Sequence, residues 1–144
     1  LVAALLLPAC GKSDPSPASG AGGPEPAHVR IDHILIGVNS EDFPQGRYSR
    51  EEARDLAYEI AEKLKAGADW DALKRQHSED PPPGGPYDLA NRGVTPLHPR
   101  EFRREGMVAA FGDVGFRLAV GEVGVADYDP QRSKFGFHVI KRVK

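Results

Sequence analysis

Two histidines and one aspartate stand where side chains can do chemistry. His33 lies within Ile31-Asp32-His33-Ile34-Leu35-Ile36, and His138 within Phe137-His138-Val139-Ile140. Both sit among apolar neighbours that read as strand, and a buried imidazole there must find a hydrogen-bond partner. An adjacent strand can supply one, so the pair either locks two strands in register or takes part directly in proton and charge chemistry. Asp80 closes Ser78-Glu79-Asp80 and precedes Pro81-Pro82-Pro83. The proline restricts its backbone, so the carboxylate is either aimed at a site or simply marks a turn. Met107 and Phe111 are four apart, which on a helix puts them on one face, buried or pocket-lining. His77 and His98 read as solvated loop residues, and Tyr128 either reaches a site or pairs across strands. There is no His-Xaa-Xaa-His or His-Glu-Xaa-Xaa-His spacing, which disfavours a His/Asp metal hydrolase. A single cysteine, Cys10, excludes an intrachain disulfide and a multi-cysteine zinc site.

The elements that must position these residues are legible in order. Residues 28–38 form an apolar run around His33 and read as a buried central strand. Ser49-Arg50-Glu51-Glu52 is a capping box, followed by Ala53, Leu56, Ala57, Ile60 and Leu64 as one apolar helical stripe that Gly67 ends. Asp69 caps a shorter helix that buries Trp70 and Leu73. The proline-glycine run 81–86 is neither helix nor inner strand, and residues 87–91 read as a short strand. Residues 93–106 read as a solvated insertion whose Pro99 starts a helical turn through Glu105. Met107, Phe111 and Val114 predict a helix, and residues 122–128 and 135–143 predict a final antiparallel pair joined by the loop 129–134.

At 144 residues the chain is one domain plus a tail, long enough to bury a core unaided. A formal charge of −2 from 19 basic and 21 acidic residues leaves no nucleic-acid footprint. Mean hydropathy of −0.46 indicates a water-soluble domain. Residues 1–9 are apolar but too few for a bilayer span, which takes about 20. They fit the core of a signal peptide, and with no initiator Met or basic segment ahead the sequence is expected to begin inside it. Leu7-Pro8-Ala9-Cys10 resembles a bacterial lipobox, in which Cys10 becomes the lipid-modified N-terminus. Residues 11–27, rich in Ser, Pro, Gly and Ala, have little to bury and read as a disordered tether. The expected organisation is a signal remnant with lipobox (1–10), a tether (11–27) and a folded domain (28–144). The domain is then extracytoplasmic and held at a membrane through Cys10, and Gly11 after the cysteine hints at the outer membrane or periplasmic face.

Several segments, in this order, resemble the parvulin family of peptidyl-prolyl cis/trans isomerases. They are the first strand around His33, Gly67-Ala68-Asp69-Trp70-Asp71-Ala72-Leu73, Ser78-Glu79-Asp80 with Gly84-Gly85 and Asp88-Leu89, Gly106-Met107-Val108-Ala109-Ala110-Phe111, Gly121-Glu122-Val123, and Phe135-Gly136-Phe137-His138-Val139-Ile140. The resemblance covers residues 28–144. It implies an α+β fold, a four-stranded antiparallel sheet packed with about four helices. It implies that His33 and His138 are the paired strand histidines and that Asp80 takes the position of a catalytic Cys or Asp. It further implies that Leu89, Met107, Phe111 and Phe116 take the proline-pocket positions.

Such an enzyme breaks no covalent bond. The obstacle is amide resonance, a barrier of about 18–20 kcal/mol. Twisting returns charge from the carbonyl oxygen to the prolyl nitrogen. A carboxylate beside the carbonyl favours that shift, as does an apolar pocket that desolvates the amide. No metal or organic cofactor is required. The expected partners are proline-containing polypeptide clients, with the membrane reached through Cys10, no nucleic acid, and a monomeric chain. The alternative is a parvulin-fold module that holds extended chains without isomerising them. In the loop 37–48, Arg47 stands against Glu41 and Asp42. That loop should repel a phosphorylated residue, so unmodified Xaa-Pro bonds are expected, with basic or apolar residues before proline.

Overall fold

Strand β1 (His28–Gly37) is buried without a break from Ile31 to Gly37, Asp32 and His33 included, and is covered on both sides. The computed structural model describes residues 23–82 and 84–144, so Cys10, the lipobox and residues 11–22 of the tether lie outside the described residues. After β1 come α1 (Arg50–Lys65), α2 (Trp70–His77), β2 (Tyr87–Ala90), β3 (Glu101–Arg103), a 3-10 turn (Arg104–Gly106), α3 (Ala109–Gly115), β4 (Val123–Ala126) and β5 (Gly136–Arg142). The strand order is β3-β2-β1-β5-β4. Among the described residues no helix is long and apolar enough to cross a membrane.

Alternation along β1 sorts its side chains to two cores. Ile34, Ile36 and Val38 join Phe137 and Val139 against Ala53, Ala57, Ile60 and Ala61 of α1. Val29 and Ile31 join Leu89 and Ile140 against Phe111, Phe116 and Leu118 on the opposite face. The capping box forms: Ser49 Oγ accepts from Glu52 N, and Glu52 Oε2 accepts from Ser49 N at 2.9 Å. Gly67, with φ +98°, takes the left-handed conformation that stops α1. Asp69 caps α2 by accepting from Ala72 N at 2.6 Å.

The sheet departs from the expected four antiparallel strands. It has five, and the extra strand β3 runs parallel to β2, with Leu89 beside Phe102. Three α-helices and one 3-10 turn accompany it. The strand arises inside the 93–106 insertion, where a helical turn from Pro99 was expected. Nor is that insertion simply solvated. Glu101 is buried, with Oε1 2.7 Å from His28 Nδ1 and Oε2 accepting from Leu97 N. Arg104 is buried as well, donating to Glu25, Asn91 and Asp113. Internal charge partners, invisible to local pattern, turn a polar segment into an edge strand. Two smaller expectations also change. Met107 is extended (φ −97°, ψ 163°) and precedes α3 rather than belonging to it. His77 is the last residue of α2, not a loop residue.

Candidate active site

β2 pairs with β1 only over His28–Ile31, so the rest of that edge of β1 is open to another partner. The segment after α2 takes the place. Leu35 N donates to Ser78 Oγ at 3.1 Å, Glu79 N donates to Leu35 O at 2.9 Å, and Gly37 N donates to Glu79 Oε1 at 3.0 Å. Glu79 Oε2 also accepts from Arg47 N at 3.1 Å, tying down the loop after β1. These bonds satisfy edge groups that would otherwise be unpaired, and they bring the next residue, Asp80, to His33.

His33 and His138 lie on neighbouring strands, His33 opposite Ile140 and Leu35 opposite His138, so both rings project from one face. Their Nδ1 atoms are 3.0 Å apart with the rings stacked at 16°. His33 Nε2 is 3.0 Å from Asp80 Oδ2, and Tyr87 Oη donates to the same oxygen at 3.0 Å. Burial works against the Asp80 charge, but the His33 hydrogen bond and field, with the Tyr87 hydroxyl, hold its carboxyl below the usual carboxylate range. An ionised carboxylate only accepts, so His33 donates from Nε2, and of the two facing Nδ1 atoms one donates and the other accepts. Burial, then the neighbouring His33, push His138 down to about 3, so that ring is neutral. Its Nε2 is buried without a partner among the described residues. Tyr87 is pushed up to about 12 by burial and by the Asp80 charge, which keeps its hydroxyl a donor.

Aromatic edges wall this chain of groups. Phe111 meets His33 edge-on at 5.1 Å and His138 at 5.7 Å, and Tyr87 lies 5.6 Å from His33. Of the four expected pocket residues, Leu89, Phe111 and Phe116 are fully buried. Phe111 touches both histidines, whereas Leu89 and Phe116 back the site from the core. Met107 is partly exposed against the same core. Tyr128 packs on Phe137, away from the histidines, and His98 lies 3.5 Å from Asp88 at the surface. Beside Asp80 opens a cleft of about 270 Å³ lined by Lys74, Arg75, Ser78 and Pro82. Among the described residues no cluster of His, Cys, Asp or Glu could hold a metal ion.

Sequence reasoning missed two contributors. Tyr87 read only as the start of a strand, because its partner Asp80 is reached around a loop and leaves no periodic signal. Asp32 is buried and accepts from Trp70 Nε1 at 2.8 Å, Lys74 Nζ at 2.5 Å and the His33 backbone N–H at 2.8 Å. It thereby fixes α2 beneath the strand that carries His33. Gly85, with φ +85° and a would-be Cβ 3.2 Å from Asp32 Oδ1, lets the proline-rich loop pass between Asp32 and Tyr87.

The five-stranded sheet with its three α-helices, among the described residues, is a parvulin-type α+β fold. The chain belongs to the PPIC-type PPIase domain family, whose model matches residues 21–144. Two solved structures share the fold. The solution structure of TbPIN1 aligns with a TM-score of 0.56 at 16% identity, covering 82% of this chain and 98% of that one. A crystal structure of a PpiC-type peptidyl-prolyl cis-trans isomerase domain aligns with a TM-score of 0.50 at 22% identity, covering 81% and 89%. The chaperone SurA of Chromohalobacter salexigens is 35% identical over 112 residues, 78% of this chain and 21% of that protein. The foldase protein PrsA 4 of Bacillus cereus is 38% identical over 88 residues, 59% of this chain and 26% of that protein. The chain thus spans about a quarter of the length of these curated relatives.

Proposed function

We propose that this domain isomerises unmodified Xaa-Pro bonds in polypeptide clients, and that the protein assists the folding of exported chains. The observation that carries the reading is the Asp80 carboxylate, kept ionised at the mouth of the site by His33 and Tyr87. Both histidines are only 4% exposed, whereas the Asp80 side chain is 20% exposed. Asp80 is therefore the group that meets the substrate, and His33 and His138 position it. A fixed negative charge near the prolyl carbonyl opposes charge build-up on its oxygen and favours the twisted amide. Because the carboxylate is already oriented, little reorganisation accompanies the twist. Met107, partly exposed, offers the apolar side that grips the ring, and the buried Phe111 backs it and keeps water out. A thousandfold acceleration asks for only about 4 kcal/mol of differential stabilisation.

Charge supports unmodified substrates. Arg47 of the loop after β1 lies 4.0 Å from Glu79, and Asp42 of that loop lies 3.8 Å from Lys134, so both cations already face carboxylates. Arg104 of the insertion is likewise committed to Glu25 and Asp113. The test is a protease-coupled assay on two peptides differing only in serine or phosphoserine before proline. The serine peptide is expected to turn over faster, and preference for the phosphorylated one overturns the substrate reading. The low exposure of the histidines favours a second reading, a module that holds extended chains without isomerising them. Binding of both peptides with no acceleration of either would establish it.

The named relatives, a chaperone and foldases, support clients that are polypeptides. The sequence of residues 1–27 supports export and a lipid anchor on Cys10. Cys10→Ala should release the protein to the soluble fraction, and unchanged membrane association contradicts the anchor.

A further inference from the structure

The insertion that adds β3 also leaves apolar surface in water. Phe102 on β3 is 51% exposed, and Leu97 just before the strand is 73% exposed. Phe102 meets Tyr87 edge-on at 5.9 Å, and Tyr87 is the residue whose hydroxyl bonds Asp80. Pro86, Tyr87, Pro99 and Phe102 line a cavity of about 780 Å³, with Arg100 at its wall. Its aromatic lining is thus continuous with the candidate active site through one shared ring.

Resting on the isomerase reading above, we propose that this cavity is a second subsite of the same polypeptide substrate, taking an aromatic or large apolar side chain near the proline. Two ring-to-ring steps, 5.6 Å from His33 to Tyr87 and 5.9 Å from Tyr87 to Phe102, separate the histidines from the far wall. An extended chain advances about 3.3–3.6 Å per residue, so a residue about three places from the proline reaches it. Phe102 and Tyr87 offer edges and faces to an aromatic ring. Arg100 offers a cation that can lie over it. The fully buried Leu89 and Phe116 have no surface left for such a side chain, so the specificity belongs to β3 and the loop before it.

The experiment compares two Ala-Pro peptides, one with phenylalanine and one with alanine at a position three residues from the proline. Both turnover and calorimetric binding are read. The wild-type protein is expected to favour the phenylalanine peptide about tenfold in kcat/KM, the scale of partly burying one aromatic side chain. Phe102→Ser should collapse that ratio towards one, while Val120→Ser, at a remote exposed residue, should keep it. A ratio that survives Phe102→Ser, or its absence in the wild-type protein, overturns the subsite. If neither peptide is turned over but the binding preference remains and depends on Phe102, the subsite stands and the isomerase reading falls. Concentration-dependent self-association abolished by Phe102→Ser would assign the face to a second copy of the chain and overturn the proposal.

Discussion

His33 and Tyr87 share one oxygen of Asp80 as their meeting point, and that sharing divides labour within the site. Oδ2 receives both the His33 N–H and the Tyr87 O–H, leaving Oδ1 without a protein donor among the described residues. Tyr87→Phe keeps the ring against His33 and Phe111 but removes one donor to a charged acceptor. Such bonds contribute about 1.5–3 kcal/mol to stability, so the urea midpoint is expected to drop, and kcat/KM of the protein that remains folded to fall about tenfold. Wild-type kcat/KM in folded Tyr87→Phe protein would make the tyrosine a purely structural support. His138 makes a separate prediction. An unfolded imidazole takes its proton near pH 6.5, but the folded ring does so only near 3. Between these values the unfolded state binds the extra proton. The His138 contribution is therefore intact above pH 6.5 and lost as pH falls, by about 1.4 kcal/mol per unit. Asp80, held below its ordinary value, contributes in the same direction, its share present above pH 3.8 and lost below it. Urea unfolding at pH 7 and pH 5.5 should show that slope, and His138→Gln should flatten it. An identical slope in the variant contradicts a buried neutral His138.

Among the elements, the insertion is where local pattern and structure part company. Residues 93–106 are polar and carry two prolines' worth of turn signal when 86 is set aside, Pro96 and Pro99, and nothing in their spacing announces a strand. The strand forms because its two flanking charges find partners far along the chain. Glu101 reaches back to His28, and Arg104 joins Glu25 at 2.6 Å, Asn91 at 2.8 Å and Asp113 at 2.7 Å. Arg104 also lies 4.7 Å over the Phe116 ring and fills the place where a Cβ on Gly112 would be, 2.9 Å from its Cγ. It therefore fastens α3, and with it Phe111, to the residue after β2 and to the segment before β1. Arg104→Met removes the buried cation, but Asp113 keeps Arg92 and Arg132, so the expected cost in urea unfolding is about 1–3 kcal/mol. Glu25→Gln, at a side chain 37% exposed, should cost less than about 1 kcal/mol. Comparable losses would show that the two carboxylates are equivalent partners. By contrast, α1, α2, β1, β4 and β5 were legible because each carries its own period or cap, as at Ser49, Asp69 and the alternation through Phe137 and Val139.

At the scale of the whole molecule, the site is a junction of distant segments: β1, the loop after α2, the start of β2, α3 and β5. The residue types at His33, Asp80, Phe111 and His138 could be singled out from sequence because the motifs around them are short and ordered. The pairing of His33 with His138 came with the resemblance, whereas the contact of Asp80 with His33, across 47 residues, leaves no local signal. Met107 illustrates the same limit. Its four-residue spacing from Phe111 suggested a shared helix face, yet the helix begins only at Ala109. Met107 nonetheless packs against the core that holds Phe111. Because it lies outside α3 and is partly exposed, truncating it tests the pocket with little risk to the fold. The most direct measurement is therefore cis/trans exchange of an unmodified Ala-Pro peptide, followed at equilibrium by NMR exchange spectroscopy with catalytic amounts of protein. The wild-type domain should accelerate exchange saturably, and Met107→Ala should lose most of that acceleration while unfolding at nearly the same urea concentration. Exchange at the uncatalysed rate in the presence of folded wild-type protein would contradict the assignment of this site as a proline isomerase.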